Sequence, residues 1–156
     1  MSFQIAKEYL KHYGLEENIM EFPVSSATVE EAAKAIHCQK EEIVKTLAFL
    51  VDNTPILIAT AGDMKIDNQK YRTKFHTKAK MIPLDHVEAY IGHAVGGVCP
   101  FGVKENVEIY LDNSLKRFQC IYPAAGSSNS AVKLTLEELE KASRYKEWVD
   151  VCKCME

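Results

Sequence analysis

The sequence predicts a mixed α/β fold, with a central, barrel-like mixed β-sheet and helices packed outside it. Predicted strands outnumber predicted helices, and they lack the regular strand–helix alternation of a parallel sheet. Two apolar runs, at 43–51 and 55–61, are rich in the aliphatic and β-branched residues of interior strands. The chain has 156 residues, of which 47% are hydrophobic and 26% charged, so we expect a single domain over 1–156.

Five helices are predicted from apolar residues at helical spacing and from signals at the helix ends. They cover 3–13, 29–37, 67–76, 83–91 and 135–143. Gly14 and Gly92 follow the first and fourth helices, where glycine commonly forms a left-handed cap. Thr28 starts the second helix with a capping box, as Thr135 starts the fifth, because each threonine has a glutamate three residues later.

Six strands are predicted between and after these helices. They cover 43–51, 55–61, 107–111, 118–122, 131–134 and 148–151. Apart from Lys45, the first is aliphatic or β-branched on both alternating faces, which indicates an interior strand covered on each side. The polar residues at 52–54 predict the turn into the second strand. No repeat, low-complexity tract or linker interrupts these elements, which favours one folding unit.

The distribution of charge predicts an anionic partner. Segment 65–80 contains six basic residues and one acid, a local charge of +5, whereas the rest of the chain carries −8. The longest apolar run, 47–51, falls far short of the roughly 20 residues that span a bilayer, and the N-terminus has no signal region. We therefore expect a soluble, cytoplasmic protein without a membrane partner. Five scattered cysteines predict reduced thiols rather than a disulfide framework.

Four of the seven glycines lie in one loop, 92–102, which we call the glycine loop. Its adjacent pair, Gly96 and Gly97, lets successive backbone N–H groups point into one concavity and bind an anion or a developing oxyanion. A tight connection between a helix and a strand is the alternative interpretation. The loop matches neither the phosphate loop nor the dinucleotide-binding pattern, so nucleotide-dependent phosphoryl or hydride transfer and a bound cofactor are not expected.

Lys45 is an unusual residue in an apolar strand. It shares an alternating face with Leu47 and Phe49, so in a covered strand its stem is buried and only its ammonium reaches a cleft. There the ammonium would bind a phosphate or polarise a carbonyl. The alternative is an edge strand whose lysine faces water.

The basic segment supports two interpretations. On a helix, Lys70, Lys74 and Lys78 form one stripe with Arg72 nearby, an arrangement typical of a surface that contacts nucleic-acid phosphates. A merely solvated helix face is the alternative.

Cys99 is the remaining candidate for chemistry. A thiol in the glycine loop would be a nucleophile if a histidine such as His93 lay beside it, and is otherwise a small apolar loop residue. The sequence contains neither an H-E-x-x-H motif nor paired C-x-x-C motifs, so no metal site is expected.

Several segments together carry a more specific signal. They are Ile43-Val44-Lys45-Thr46-Leu47, Gly92 with Gly96-Gly97-Val98-Cys99-Pro100-Phe101-Gly102, Leu111-Asp112 and the Gly126-Ser127 turn. This combination resembles the YbaK/prolyl-tRNA-synthetase-associated domain family over nearly the whole chain. The resemblance implies a mixed α/β barrel-like fold and a hydrolase that cleaves the carboxylic ester of mischarged aminoacyl-tRNA. In that family the domain is a free-standing factor or an insertion in the synthetase, and this chain resembles the free-standing form.

The resemblance also implies roles for individual residues. Lys45, Gly96 and Gly97 would be catalytic, with backbone N–H donors and neither metal nor cofactor. The implied substrate-binding residues are Thr46, Pro100, Phe101, Gly102, Gly126 and Ser127. With tRNA as the substrate, the phosphate-contacting interpretation of the basic segment makes Lys70, Arg72, Lys74 and Lys78 the tRNA-binding residues. Water, the ribose 2′-hydroxyl or a substrate thiol would attack the ester. The implied partners are the acceptor end of aminoacyl-tRNA and a synthetase of the prolyl or cysteinyl system.

The amino acid that would be removed stays open at this point. The alanine-clearing branch of the family has Asn after the lysine and His in the later glycine turn, where this chain has Thr46 and the pair Ser127-Ser128. Two other functions also stay open, a Cys99-dependent thiol hydrolase and a non-catalytic module that binds RNA or a nucleotide.

Overall fold

The computed structural model describes residues 2–155, so Met1 and Glu156, the two ends of the predicted domain, lie outside the described residues. The helices and strands, in chain order, are α1 (Ser2–Lys11), β1 (Ile19–Glu21), α2 (Val29–Ile36), β2 (Ile43–Val51), β3 (Thr54–Ala61), β4 (Met64–Ile66), α3 (Asn68–Phe75), α4 (Leu84–Ile91), β5 (Glu108–Asp112), β6 (Cys120–Pro123), β7 (Ser130–Val132), β8 (Leu134–Thr135), α5 (Leu136–Ser143), β9 (Glu147–Val149) and β10 (Cys152–Cys154).

Six strands form the central sheet, in the order β8–β6–β2–β3–β5–β9. β2 and β3 form an antiparallel hairpin, whose turn residues Asp52 and Asn53 both have a left-handed φ, of 49° and 69°. The neighbours β6 and β5 run parallel to this hairpin's strands, and β8 closes one end antiparallel to β6. The sheet is therefore mixed, and the predicted mixed α/β fold with a half-barrel sheet is confirmed.

The helix ends follow the local signals in the sequence. Thr28 and Thr135 both form complete capping boxes, which start α2 and α5 where they are predicted. Gly92 ends α4 in a left-handed conformation with φ 102°. α1 ends at Lys11, earlier than predicted, and Gly14 takes up its left-handed φ of 71° only in the following turn.

The sequence missed the shortest strands. β1, β4 and β10 have three residues each, and three residues are too few for an alternating pattern. The predicted strand 131–134 is two strands, because the chain changes partner from β1 to β6 at Lys133. The predicted strand 148–151 likewise ends at Val149, and β10 then pairs with β4.

The apolar residues form two clusters on opposite faces of the sheet. One lies beneath α1, α4 and α5 and includes Val44 and Ala48 of β2. The other lies beneath α3 and includes Phe49 of β2 with Tyr71 and Tyr110. Because alternate residues of β2 enter different clusters, β2 is an interior strand covered on both faces, as its composition predicts.

Candidate active site

The central strand β2 has an unpaired stretch along one edge. β6 pairs with β2 only at Ile43 and Val44. Past the gap, the Leu50 N–H donates to the Lys80 carbonyl at 2.9 Å, and the Ile82 N–H donates to the Ala48 carbonyl at 3.0 Å. Residues 45–47 therefore lie between two partners without pairing with either.

The geometry of a strand shows which backbone groups face this gap. In a β-strand the N–H and C=O groups of alternate residues point to the same edge. Since the Ala48 carbonyl and the Leu50 amide are bonded on that edge, the N–H and C=O of Thr46 also point towards it. The gap thus presents a backbone donor and a backbone acceptor from Thr46.

A pocket of about 360 Å³ opens at the gap. Its lining is mostly aliphatic and comes from β2, α2, α4, the glycine loop and β6. The residues that contribute are Val29, Ala32, Val44, Thr46, Ala48, Ile82, Leu84, Val87, Val95, Gly96, Val98, Tyr122 and Ala131, among others. Such an aliphatic enclosure with few polar groups is typical of a small-molecule or side-chain binding site.

Thr46 places a buried polar group beside this pocket. Its side chain lies on the same face of β2 as Val44 and Ala48, and all three line the pocket. The Thr46 Oγ1 atom is buried and has no hydrogen-bond partner among residues 2–155. A buried hydroxyl without a partner is destabilising by about 1–3 kcal/mol, and because Oγ1 has almost no accessible surface, a ligand would reach it only after the Thr46 side chain turns towards the pocket.

Lys45 lines the same pocket, but its ammonium is held at β4. The Nζ donates a hydrogen bond to the Met64 carbonyl and lies 3.6 Å from the Met155 Sδ. Burial lowers the pKa of Lys45, whereas the nearby groups of Cys152, Asp63 and Glu30 act in the opposite direction. The interior position predicted for Lys45 is therefore observed, and the water-facing edge alternative is wrong because β2 is flanked by β6 and β3.

The glycine loop and the Gly126-Ser127 turn are in direct backbone contact. A methyl group at Gly97 would lie 2.4 Å from both the Gly126 carbonyl carbon and the Ser127 nitrogen. Gly96, with φ 91°, lines the pocket, whereas the Gly97 N–H donates to the Ala94 carbonyl at 3.0 Å. Gly97 therefore brings the two segments together, and its own amide is engaged within the loop.

Two further predicted residues of the glycine loop, Phe101 and Gly102, lie against α1 and away from the pocket. The Phe101 side chain is fully buried and packs on Tyr9, with ring centroids 6.3 Å apart. A methyl group at Gly102 would lie 2.8 Å from the Ile5 Cγ2. Neither residue lines the pocket, and nor does Pro100, so the structure separates them from Lys45 and Thr46.

Cys99 has a histidine beside it, but the pair is not arranged for proton transfer. The His93 Nε2 lies 3.6 Å from the Cys99 Sγ and 2.6 Å from the Phe101 carbonyl oxygen. Because a carbonyl only accepts, Nε2 carries the proton and donates it to Phe101, so Nε2 cannot also accept the thiol proton. Burial of both residues raises the pKa of Cys99 to about 12 and lowers the pKa of His93. The thiol therefore stays protonated.

The basic segment is partly neutralised by acids near the C-terminus. Lys70 forms an ion pair with Asp150 at 3.0 Å, and Lys74 forms one with Glu147 at 2.6 Å. Lys78 lies beyond the end of α3, because the chain takes a left-handed conformation at the residue after Phe75. The helix thus carries two of the three lysines of the predicted stripe.

The gap in β2 is the functional feature that the sequence did not reveal. It results from two short partners that end at different points along β2, and short strands leave no periodic signal. The aliphatic wall from α2 and α4 is visible in the sequence only as an ordinary apolar helix face, as at Val29 and Val87. Over residues 2–155, no three His, Cys, Asp or Glu side chains are grouped as metal ligands. In the same range no helix combines the length and apolarity needed to cross a membrane.

Comparisons with known proteins match this architecture. YwhH of Bacillus subtilis, an uncharacterised protein, is 47% identical over 154 residues that cover 98% of each chain. EbsC of Enterococcus faecalis, a candidate Cys-tRNA(Pro)/Cys-tRNA(Cys) deacylase, is 26% identical over 114 residues, 72% of this chain and 70% of EbsC. A solved structure described as a candidate trans-editing enzyme for prolyl-tRNA synthetase superposes with a TM-score of 0.87 and 25% identity, covering 97% of each chain.

The family model for an aminoacyl-tRNA editing domain matches residues 24–142. This range contains α2, β2 and the glycine loop, which line the pocket, and the Gly126-Ser127 turn, which contacts the glycine loop. The chain therefore belongs to the family of aminoacyl-tRNA editing domains.

Proposed function

We propose that this chain is a trans-editing deacylase, which hydrolyses the ester of a mischarged tRNA while the aminoacyl side chain occupies the pocket. The observation that carries the proposal is the gap in β2, where the backbone N–H of Thr46 faces an aliphatic pocket of about 360 Å³ and its partnerless hydroxyl is buried beside that pocket. The likeness to EbsC and to a candidate trans-editing enzyme supports it.

Hydrolysis of an ester needs donors directed at the carbonyl oxygen, which gains negative charge as the carbonyl is attacked. The Thr46 N–H faces the gap and Gly96 also lines the pocket, so a substrate carbonyl placed at the gap would receive a hydrogen bond from the Thr46 N–H, with the Gly96 backbone as the candidate second donor. The attacking group is water, the ribose 2′-hydroxyl or a substrate thiol. Attack by the 2′-hydroxyl or the thiol displaces the ribose oxygen of the original ester and gives a 2′-ester or a cyclic thioester, which water then hydrolyses. When the attacking group is water, the bond between the acyl carbon and the ribose oxygen breaks, the ribose oxygen takes a proton, and the free amino acid leaves.

Lys45 would supply positive charge to the substrate. Its ammonium bonds to the Met64 carbonyl of β4, and Lys45 itself lines the pocket. The ammonium is therefore close to the pocket and suited to attract a phosphate of the terminal nucleotide or the developing oxyanion. Either role requires the Nζ to share or leave its bond to the Met64 carbonyl.

The supporting residues divide into two groups. Gly97, Gly126 and Ser127 would shape the site through the contact between the two loops, and Pro100, Phe101 and Gly102, which do not line the pocket, would support the fold of the glycine loop. Lys70, Arg72, Lys74 and Lys78 would contact the tRNA, and a synthetase of the prolyl or cysteinyl system is the expected partner. The aliphatic lining favours an uncharged aminoacyl side chain.

The test is a panel of mischarged tRNAs incubated with the purified chain in the presence of a chelator. We expect hydrolysis of one or a few esters with small uncharged side chains, and no dependence on metal. A Thr46→Val variant, which removes the hydroxyl at nearly constant volume, should lower the rate for the responsive substrate. Ser143→Ala, which removes another buried hydroxyl without a partner and outside the pocket, is the matched control. Binding of tRNA without hydrolysis of any ester would instead identify a non-catalytic module.

A further inference from the structure

Two exposed lysines face each other across a small ribbon that the proposed function does not use. The ribbon consists of β4 and β10, and its register places Lys65 directly opposite Lys153. Both side chains are exposed, whereas the flanking Ile66 and Cys152 pack into the cluster beneath α3. Like charges directly opposite each other in an antiparallel pair are destabilising. The fold therefore keeps an unfavourable pair on an exposed surface.

No acidic side chain within residues 2–155 forms an ion pair with either lysine. Other basic residues nearby are paired, Lys70 with Asp150 and Arg117 with Asp63, the latter at 2.6 Å. Lys153 does attract the Asp67 carboxylate, but the pKa of Asp67 is lowered chiefly by the backbone N–H of Lys70. The Asp67 carboxylate caps α3 by accepting hydrogen bonds from the backbone N–H groups of Gln69 and Lys70. The ribbon thus carries positive charge that the described chain leaves uncompensated.

The ribbon lies next to Lys45. The Met64 carbonyl, one residue before Lys65, accepts the hydrogen bond of the Lys45 Nζ. Met155, two residues after Lys153, also contacts that ammonium, at 3.6 Å. Lys45 therefore bonds to β4 directly, and Lys65 and Lys153 are exposed within one or two residues of the two groups that contact its ammonium.

We propose that the β4–β10 ribbon binds the phosphodiester backbone of the RNA whose aminoacylated 3′ end enters the pocket. Cross-strand neighbours have Cβ atoms about 5 Å apart, so both ammonium groups reach phosphates of one strand. Phosphates contacted in this way neutralise the two lysines and release counterions. The proposal rests on the proposed function for the position of the 3′ end, and it adds a second, sequence-independent contact outside the pocket.

The test compares two double variants for binding to uncharged tRNA across a range of salt concentrations. Lys65→Ala with Lys153→Ala should reduce the slope of log affinity against log salt by about 1.5–2, and should lower affinity at least about tenfold at low salt. Lys133→Ala with Lys141→Ala removes the same charge from two exposed lysines elsewhere, and should leave the slope nearly unchanged. Equal slopes for wild type and the ribbon variant, or no salt-dependent binding by the wild type, would overturn the proposal.

A second variant separates binding from structural damage. Lys65→Glu converts the like-charge pair into an opposite-charge pair, so we expect Tm to rise by about 1–3 °C while affinity for tRNA falls about as far as in the double-alanine variant, because both remove the net positive charge of the pair. Loss of affinity together with a lower Tm would indicate a structural role and contradict the proposal.

The readouts also distinguish this proposal from the proposed function. Uncharged tRNA reports binding independently of ester hydrolysis. A chain that binds tRNA through the ribbon but hydrolyses no ester would refute the deacylase alone, whereas deacylation with an unchanged salt slope in the ribbon variant would refute the ribbon alone.

Discussion

The Lys45 ammonium donates a hydrogen bond to a backbone carbonyl of β4. A substitution can therefore remove the charge and keep the apolar stem that packs in the strand. Lys45→Met keeps an apolar stem and removes the charge, so we expect deacylation to fall at least about a hundredfold, comparable to the loss of one oxyanion donor, while the fold is retained. The measurement is single-turnover deacylation of a responsive mischarged tRNA, with folding checked by thermal melting. Lys133→Met is a control for loss of one positive charge. Turnover near that of the wild type would rule out the proposed role of Lys45.

Cys99 is expected to be chemically inert. It is fully buried, its pKa is raised to about 12, and the neighbouring His93 donates to Phe101. Cys99→Ala should therefore keep most of the turnover and lose some stability, since it deletes a buried sulfur. In native protein, iodoacetamide should label the exposed Cys154 and leave Cys99 unmodified, as read by peptide mass spectrometry. A well-folded but inactive alanine variant, with an aminoacyl adduct trapped on the wild type, would establish the thiol hydrolase instead.

Individual residues were predictable from the sequence when their signal was local. Lys45 is conspicuous in an apolar strand, and its interior position follows from the residues around it. The free hydroxyl of Thr46 could not be predicted, because it depends on where β6 and the segment 80–82 stop pairing with β2. The sequence also placed Cys99 near His93, but only the contact with Phe101 shows which histidine nitrogen holds the proton.

At the scale of elements, α3 exposes fewer unpaired positive charges than its composition indicates. Lys70 and Lys74 have acidic partners, whereas Arg72 and Lys78 have none within residues 2–155. We expect Arg72→Ala with Lys78→Ala to reduce the salt slope of tRNA binding by about 1–2. Lys70→Ala with Lys74→Ala should reduce it less, because those lysines must first release their carboxylates.

One outcome for these two double variants would contradict a role of α3 in binding RNA. Exposed ion pairs are worth only about 0–1 kcal/mol each, so neither variant should unfold the chain. If neither variant changes the slope, α3 is a solvated helix face and takes no part in binding RNA.

Elements with strong local signals were predicted well. Both capping boxes form as written in the sequence, and β2 has the predicted bounds. The three-residue strands β1, β4 and β10 were missed, and the strand predicted at 131–134 is divided at Lys133. These elements are strands because partners distant in the chain pair with them, and nothing in their own few residues favours an extended conformation.

At the scale of the whole molecule, His93 should make stability depend on pH. Burial lowers its pKa in the folded state, whereas in the unfolded chain it titrates near its ordinary value of about 6.5. Below that pH the unfolded chain binds a proton that the folded chain does not, so the free energy of unfolding falls as the pH is lowered. Urea unfolding between pH 7 and 5 should show this decrease, and His93→Gln should flatten it.

The chosen range separates His93 from the carboxylates. Asp63 also has a lowered pKa, chiefly through its hydrogen bond with Arg117, but its contribution is lost only at lower pH, near and below the usual range of an aspartate. A decrease of the same size in the variant and the wild type between pH 7 and 5 would show that His93 is not responsible.

The fold class could be predicted from the sequence, but the order in which the strands pair could not. A mixed sheet with outer helices follows from the count and order of the predicted elements. The pairing order, in which β2 lies between β6 and β3, depends on contacts between residues such as Ile43 and Tyr122 that are far apart in sequence. The pocket is a consequence of that order. For this reason the sequence indicated the glycine loop that lines the pocket, but not the gap along β2 at which the pocket opens.

The two-residue turn at Asp52 and Asn53 has a consequence for how the chain folds. It joins β2 and β3 in a continuous register from Val44 and Ala61 to Val51 and Thr54, whereas the parallel pairs of the sheet join strands far apart in the chain. Closing a short loop has the smaller entropic cost, so this hairpin is expected to be formed in the transition state. Asn53→Ala, at a left-handed φ of 69°, should slow refolding and hardly change the unfolding rate. Stopped-flow fluorescence of Trp148, the single tryptophan, located in β9 at one end of the sheet, would follow both rates.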